Sequence, residues 1–444
     1  MSEAAAPDAT LRQATRAMRP VVVFLMVLYF FAVLDRLNIG FAALTMNKAL
    51  GLNPAQFGFG AGLFFVSYVL LEVPSNLLMV RYGPRRWIAR IVITWGLCST
   101  ATAFVAGEHS FYAVRLLLGI AEAGFFPAVI TYVSRWFPAR ERARMNTLFL
   151  LGIPISGLAS SLLAAACLSL DGLLGLAGWQ WLFICEGLPP ALLGFVVLRY
   201  LPDDPSGTRF LTPAQADALT EALKNEQASV ERAFPLSMKQ ALLSATCLSL
   251  GLTYFGITVG LSTLGFWLPQ AVNSLGRHSP VIVGLITAVP LGLGALTMVV
   301  ASSSSDRTGE RLWHFFAMAA LATVGWLLFG SSRSPGAGLL LVAVAAGGTY
   351  GMVSLFWTLP STYLSGRAAA PGIALISALG TTGAFVGPWV IGQLRHQTGN
   401  FGLAFVFVGV CTAVSGVVGL VVGRRIFNEH AGAGLPAERI IALD

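Results

Sequence analysis

The sequence predicts an all-α membrane protein, with twelve transmembrane helices in two six-helix bundles and both termini cytoplasmic. Three observations carry this. Hydrophobic residues make up 56% of the 444 and charged residues 11%, with a mean hydropathy of +0.74. A soluble chain carries about 25% charge, so this one cannot cover itself with polar surface. About twelve apolar stretches reach the ~20 residues that cross a bilayer. Arginines cluster in alternate loops between those stretches, as cytoplasmic loops require.

The stretches begin near Pro20, Gln56, Trp87, Phe111, Arg144, Gly178, Ala241, Pro280, Leu312, Pro335, Ala370 and Phe401. Residues 1–19 form a polar cytoplasmic tail without the apolar core and cleavage site of a signal peptide. Residues 20–200 make the first bundle, 201–240 a cytoplasmic linker, 241–426 the second bundle and 427–444 a cytoplasmic tail. In the linker, Thr212 and Pro213 have the chemistry of a helix start, and a short amphipathic helix is expected. The basic loops hold Arg12, Arg16 and Arg19; Arg81, Arg85, Arg86 and Arg90; Arg135, Arg140, Arg142 and Arg144; Arg307 and Arg311; Arg367; Arg424 and Arg425. Their counterparts hold only Lys48, Arg277, Arg333 and Arg395.

Several function classes are set aside. The net charge of +8 comes from loops between apolar spans, which fits a membrane surface and not nucleic acid. Cys98, Cys167, Cys185, Cys247 and Cys411 stand singly in apolar runs, without pairing or metal spacing. The histidines, His109, His278, His314, His396 and His430, lie at span ends or in loops. No catalytic constellation, metal site or phosphate-cradling Gly-rich loop is visible, so neither an enzyme nor an ATP-driven pump is expected, and no cofactor.

The two halves repeat at an offset of 226 residues. Pro54 falls on Pro280, Gly58 on Gly284, Arg81 on Arg307, Gly83 on Gly309 and Arg85 on Arg311. Each copy has a helix-starting proline, one apolar span and a basic turn containing glycine. Chains built from two such halves commonly hold their site at the interface, near the midplane. The second turn, SSSSDRTGER, with Asp306, Arg307, Gly309 and Arg311, resembles the loop signature of the major facilitator superfamily. Ser302 stands for the first glycine and Glu310 interrupts the basic pair. The first copy keeps Arg81, Gly83 and Arg85, but Val80 replaces the acid. Both turns are expected to act in gating.

A charge at the bilayer centre costs about 2.5–3.5 kcal/mol on insertion scales, so each needs a reason. Five are apparent: Asp35 and Arg36 in span one, Glu72 in span two, Arg115 and Glu122 in span four. Arg115, Gly119 and Glu122 stand at i, i+4 and i+7, one helical stripe, with Gly119 leaving space between the charges. Arg115 sits about 10 Å from Glu122 at 1.5 Å per residue. A packing pair against a neighbouring helix is the plainer alternative to a cavity lining. Asp35 and Arg36 are adjacent and point about 100° apart, Arg36 sharing a face with Tyr29 and Gly40, and Asp35 with Asn38. A cross-helix network of two acids and two arginines is expected, with Tyr68 near it. Glu72 lies closer to the cytoplasmic end, where a packing or gate contact is favoured.

At the shifted positions the second half has Leu261, Leu341 and Gly348, which carry no charge. It offers neutral groups instead, among them Tyr254, Ser262, Trp267, Gln270, Trp357, Ser361, Ser377, Thr381 and Thr382. For Trp267 and Trp357 an interface or core role is the simpler reading, and packing is the default for Gly380, Gly383, Gly387 and Pro388.

Strings along nearly the whole chain resemble the anion:cation symporter family of that superfamily: YFFAVLDRLNIGFAALTMNKALGL, SYVLLEVPSNLLMVRYGPRRWIARIVITWG, RLLLGIAEAGFFPAVI, RWFPARERARMNTLF, GFWLP and FVGPWVIGQL. The family includes carriers of tartrate, sugar acids, phthalate, sialate and glutamate. The resemblance implies that Asp35 and Glu122 are proton-coupling acids, Arg36 a ligand for the substrate carboxylate, Arg115 a partner in the network and Tyr68 a site tyrosine. Tyr29, Ser262, Trp357, Ser361, Ser377 and Thr381 complete the expected lining. Ser262 stands where many members carry Tyr, and Ser377 and Thr381 where many carry Asn, so the particular substrate does not carry over.

The expectation is a proton-coupled symporter of an organic carboxylate, monomeric, in a bacterial inner membrane, with Na⁺ in place of H⁺ left open. The alternatives are a proton-coupled exporter of drugs or metabolites on the same fold and a non-transporting membrane sensor.

Overall fold

The computed structural model describes residues 5–138, 141, 142, 145, 148, 149, 152–206, 208–233, 244–276, 278–330, 332, 334–363 and 369–432. Arg140, Arg144, Ala241, Arg277, Arg333 and Arg367 lie outside the described residues, as do most of the two expected tails' ends. Among the described residues, eleven helices are long and apolar enough to cross a membrane. A shorter apolar helix, Ile155–Leu168, stands where the fifth crossing is expected.

Helix α1 spans Ala5–Ala49, so it starts well before Pro20. The segment ahead of Pro20 is rich in Ala and Arg, both strong helix formers, and buries Ala14, Thr15 and Met18. Ala14 and Met18 share a packed cluster with Leu219 of the linker helix α8 (Pro213–Ala233), which docks on α1. The expected cap of α8 is present: Gln215 N–H donates to Thr212 Oγ1 (3.4 Å) and Thr212 N–H to Gln215 Oε1 (3.0 Å).

Helix α2 (Pro54–Tyr82) begins with an Asn53–Gln56 capping box, and α11 (Pro280–Thr308) with Ser279 accepting from Ile282 N–H. Each is 29 residues long. They are followed by Gly83 at φ +85 and Gly309 at φ +69, in the left-handed region where a side chain is strained. The repeat in the sequence is therefore a repeat of structure, with both ends in register.

The other first-half helices are α3 (Pro84–Ala101), α4 (Glu108–Glu122), α5 (Phe125–Trp136), α6 (Gly152–Leu168) and α7 (Gly178–Tyr200). The second half adds α9 (Ala245–Phe266), α10 (Leu268–Leu275), α12 (Arg311–Phe329), α13 (Pro335–Phe356), α14 (Thr358–Tyr363), α15 (Ala369–Thr398) and α16 (Gly402–Gly432). Among the described residues, three crossings are broken: the fourth at Ala123–Gly124, the seventh at Trp267 and the tenth at Trp357. The fourth was expected to be one helix. Gly124 adopts φ +87, and a methyl group on it would meet Ser75 Oγ at 2.5 Å, so the break also lets α2 pass close.

Within the first bundle α3 packs on α7 and α2 on α4; within the second, α9 packs on α15 and α12 on α13. The bundles meet chiefly through α2 against α15 and α6 against α11. The close contacts gather at the end opposite the basic loops. Phe57 meets Trp267 edge-on at 5.2 Å, and Phe59 meets Phe385 at 6.1 Å. A methyl on Gly58 would meet Gly392 Cα at 3.1 Å, and one on Gly40 would meet Phe266 Cα at 3.2 Å. Arg395 lies 4.3 Å over the Phe401 ring and 5.5 Å over Trp267, and donates to Gln270 Oε1. This end is shut.

Candidate functional site

The centre of the first bundle holds an ion pair. Arg36 Nη2, from α1, donates to Glu122 Oε1, from the last residue of α4, at 2.5 Å. Charge-assisted bonds of this kind are roughly twice as strong as neutral ones. The Glu122 side chain is wholly buried, whereas that of Arg36 is 24% exposed. Its guanidinium lies 5.2 Å from the Tyr68 ring and 5.7 Å from Phe64. Tyr254, from α9 of the other bundle, lies within electrostatic range of it, so Arg36 faces the gap between the bundles. Tyr29 is buried, stacks on Phe149 at 4.5 Å and feels both members of the pair. Glu122 Oε2 closes no hydrogen bond among the described residues.

Of the expected four-charge network, Arg36 and Glu122 alone are in salt-bridge contact among the described residues, while Asp35 and Arg115 act on them through the field. Asp35 instead accepts from Asn38 Nδ2 (3.2 Å) and from the hydroxyl of Ser99 on α3. The 100° turn per residue aims it away from Arg36. Arg115 is buried, donates to the Ala61 carbonyl at 3.1 Å and lies 5.2 Å from Phe64. The Phe64 ring is thus in contact range of both arginines. Neither Asp35 nor Arg115 closes a salt bridge among the described residues, although each feels the other's charge. Gly119 does not open space between charges. It lets the α2 backbone approach, and a methyl there would overlap the Phe64 carbonyl, while Ser67 Oγ donates to the Leu116 carbonyl at 2.9 Å.

On the facing bundle, Trp357 packs edge-on against Tyr254 at 4.9 Å, and Phe356 stacks on Tyr254 at 5.0 Å. Ser262 donates to its own helix at Val259 O (3.1 Å). Ser377 and Thr381 are partly exposed on α15. Ser361 lies on α14, and its side chain is outside the described ones. Tyr254 belongs with the site more clearly than Ser262 does. Its signal in the sequence was only that of one polar aromatic in an apolar run.

The loop residues lie apart from this centre. Arg85 binds Asp203 twice, backbone N–H to Oδ1 at 2.9 Å and Nε to Oδ2 at 3.1 Å. Asp203, just past α7, supplies the acid that Val80 lacks in the first turn. Arg81 lies over Tyr82 at 5.7 Å. Asp306 and Arg307 are exposed, and Arg311 is half-buried, around Gly309. Glu72 is half-buried, with Arg36 in electrostatic range.

One intramembrane charge escaped the sequence reading. Glu186 of α7 is 2% exposed, and neither carboxyl oxygen closes a geometric hydrogen bond among the described residues, although the Asn38 side chain lies within reach. Its signal was a single acid in the run GWQWLFICEGLPP, hidden by the high apolarity around it.

With this architecture in place, comparison with known proteins is decisive at the level of family. Residues 25–388 match the family model described as Major Facilitator Superfamily. The chain belongs to that superfamily. A protein named "Putative tartrate transporter" from Agrobacterium vitis is 44% identical over 428 residues, covering 96% of this chain and 98% of its own. A "Quinolone resistance transporter" from Acinetobacter baumannii is 38% identical, covering 87% and 89%. Among solved structures, the xylose transporter XylE from E. coli, in a partially occluded inward open conformation, superposes with a TM-score of 0.71 at 15% identity, covering 94% of this chain and 97% of its own. This superfamily member is therefore a multi-pass membrane transporter and not an enzyme.

Proposed function

We propose that this chain is a secondary active transporter that carries an organic carboxylate together with protons by alternating access. The cargo class is a sugar acid, a hydroxy-dicarboxylate such as tartrate, or an aromatic acid. The observation that carries the reading is the Arg36–Glu122 pair, sealed on the acid side and open to the inter-bundle gap on the arginine side. Arginine suits the task because its planar fork takes a carboxylate bidentately and never loses its charge. Protonation of Glu122 releases Arg36 to hold the substrate anion. An anion on Arg36 then leaves Glu122 without its cation and favours the proton there. Each ligand thereby promotes the other.

Tyr29, Tyr68, Tyr254 and Trp357 form aromatic walls around that cargo, with Ser262, Ser361, Ser377 and Thr381 offering neutral hydrogen bonds. Arg115 and Asp35 set the field around the pair, and Glu72 and the loop residues act in gating. Residues 20–200 and 241–426 are the bodies that rock. The basic-loop face is cytoplasmic in a bacterial inner membrane, so the shut end faces outward, and the monomer is the working unit. The Agrobacterium relative named for tartrate supports this cargo class.

The test is Glu122→Gln in proteoliposomes. Uptake driven by a pH gradient should disappear while carboxylate counterflow remains measurable; full proton-driven uptake by the variant would refute the assignment. The relative named for quinolone resistance favours a second reading, proton-driven export of a drug or metabolite. Competition of labelled-substrate flux by simple carboxylates separates the two.

A further inference from the structure

We propose that Glu186 is an additional proton-carrying carboxyl, joined to Asp35 through the Asn38 amide and separate from the Arg36–Glu122 pair. The inference rests on the proton-symport reading and deepens it.

Glu186 stands about 12 Å along α7 from its start, at 1.5 Å per residue. It is surrounded by close helix contacts: a methyl on the adjacent Gly187 would meet Thr100 N of α3 at 2.6 Å. The groups facing it come from three directions. Asp35 and Asn38 project from α1, and Cys167 from α6. From α3, Ser99 and Cys98 reach Asp35, on which Arg115 of α4 also acts. Cys185, on α7 itself, lies beside Cys167.

On Asp35, Asn38 and Glu186 the unmet hydrogen-bonding capacity among the described residues is all of one kind. Asp35 Oδ2, Asn38 Oδ1 and both oxygens of Glu186 are buried acceptors that close no hydrogen bond among the described residues. Burying a carboxylate with neither a donor nor a cation is among the costliest arrangements available. A proton on Glu186 changes this, because it turns one acceptor into a donor, and the Asn38 side chain lies within its reach. Asn38 already donates its Nδ2 to Asp35 Oδ1 at 3.2 Å. The result is a directed chain, Glu186 to Asn38 to Asp35, ending on a carboxylate that also accepts from Ser99. Asp35 then has the surroundings of an ionised acid and Glu186 those of a neutral one. If Glu186 gave up its proton, two negative charges would share one dry pocket, and Asp35 would have to take a proton up. The pair titrates as a unit: one proton is always held and a second is exchanged.

The test uses the full chain in proteoliposomes, with tartrate as the probe. Glu186→Gln keeps a donor for Asn38 but removes the titration. Tartrate counterflow should persist within about twofold, while the pH midpoint of proton-driven uptake moves by about one unit, the scale of a close charge pair. An unchanged pH profile would overturn the pair and leave the symport reading intact. Absence of any carboxylate counterflow in the unmodified protein would overturn both. If Glu186→Gln does not fold, Asn38→Ser removes the bridge and leaves both acids; the same displacement of the pH profile is expected, and an unaltered profile refutes the pair. Uptake driven by a Na⁺ gradient, lost in Glu186→Gln, would overturn the proton assignment in favour of a cation held by the same oxygens.

Discussion

Arg36 and Glu122 are 86 residues apart in sequence and 2.5 Å apart in the fold. Their unequal exposure is the important feature. Glu122 is held out of reach at the end of α4, while the Arg36 guanidinium borders the space between the bundles. A carboxylate entering that space meets the cation first and competes with Glu122 for it. The Tyr68 and Phe64 rings under the guanidinium keep it in place when either partner leaves.

Arg36→Lys tests the geometry separately from the charge. Lysine keeps the cation but loses the fork and the fit over the rings. One charge-assisted bond is worth about 1.5–3 kcal/mol, so tartrate affinity should fall about 10- to 150-fold. Thermal-shift titration measures this. Affinity within twofold of the unmodified protein would show that the bidentate grip is not used.

The all-helical membrane architecture, the repeat and the burial of Arg36 and Glu122 among the spans were legible because each follows from a local signal: apolar length, a shared offset, a charge where charge is costly. The break after Glu122 was not. Gly124 looks like any glycine in an apolar run until Ser75 is known to pass beside it. The fates of Asp35 and Arg115 were hidden for a related reason. Depth placed all four charges together, but the helix faces sent Asp35 to Ser99 and Arg115 to the Ala61 carbonyl. Asp203 as the partner of Arg85 lay 118 residues away, beyond any periodic pattern.

Gly119→Ala should destabilise the first bundle without touching a charge. Its methyl would overlap the Phe64 carbonyl, and that backbone atom cannot swing aside as a side chain can. Overpacking of this kind costs about 1–3 kcal/mol. Thermal unfolding in detergent should show a lowered Tm. An unchanged Tm would mean that α2 and α4 are less tightly apposed than their shared Ser67–Leu116 hydrogen bond implies.

Asp203→Asn should have a small effect on stability despite its two bonds to Arg85. Both side chains are partly solvated, 41% and 32% exposed, and exposed pairs are worth about 0–1 kcal/mol. Raised salt should mimic the substitution in the unmodified protein, because screening weakens such a pair. A large fall in Tm, insensitive to salt, would contradict this and would make Asp203 an integral part of the turn.

The shut end should open when its backbone contacts are blocked. At Gly58, α2 lies against the Pro388 carbonyl and Gly392 Cα of α15, and Phe57 beside it closes on Trp267. Gly58→Val places two methyl groups where the other bundle's backbone must come. The α2–α15 contact joins the two bundles, so the strain is relieved by separating them at this end and not by repacking within one. Binding residues at Arg36 and Glu122 are untouched, so tartrate should still bind. Transport should fall more than about tenfold, because the cycle requires this end to close as well as open. A cysteine in place of Phe57 reports the state: a membrane-impermeant maleimide should label it slowly in the otherwise unmodified chain and quickly when Gly58→Val is added. Equal labelling in both backgrounds, with transport intact, would show that the close approach of α2 to α15 is not what seals the protein.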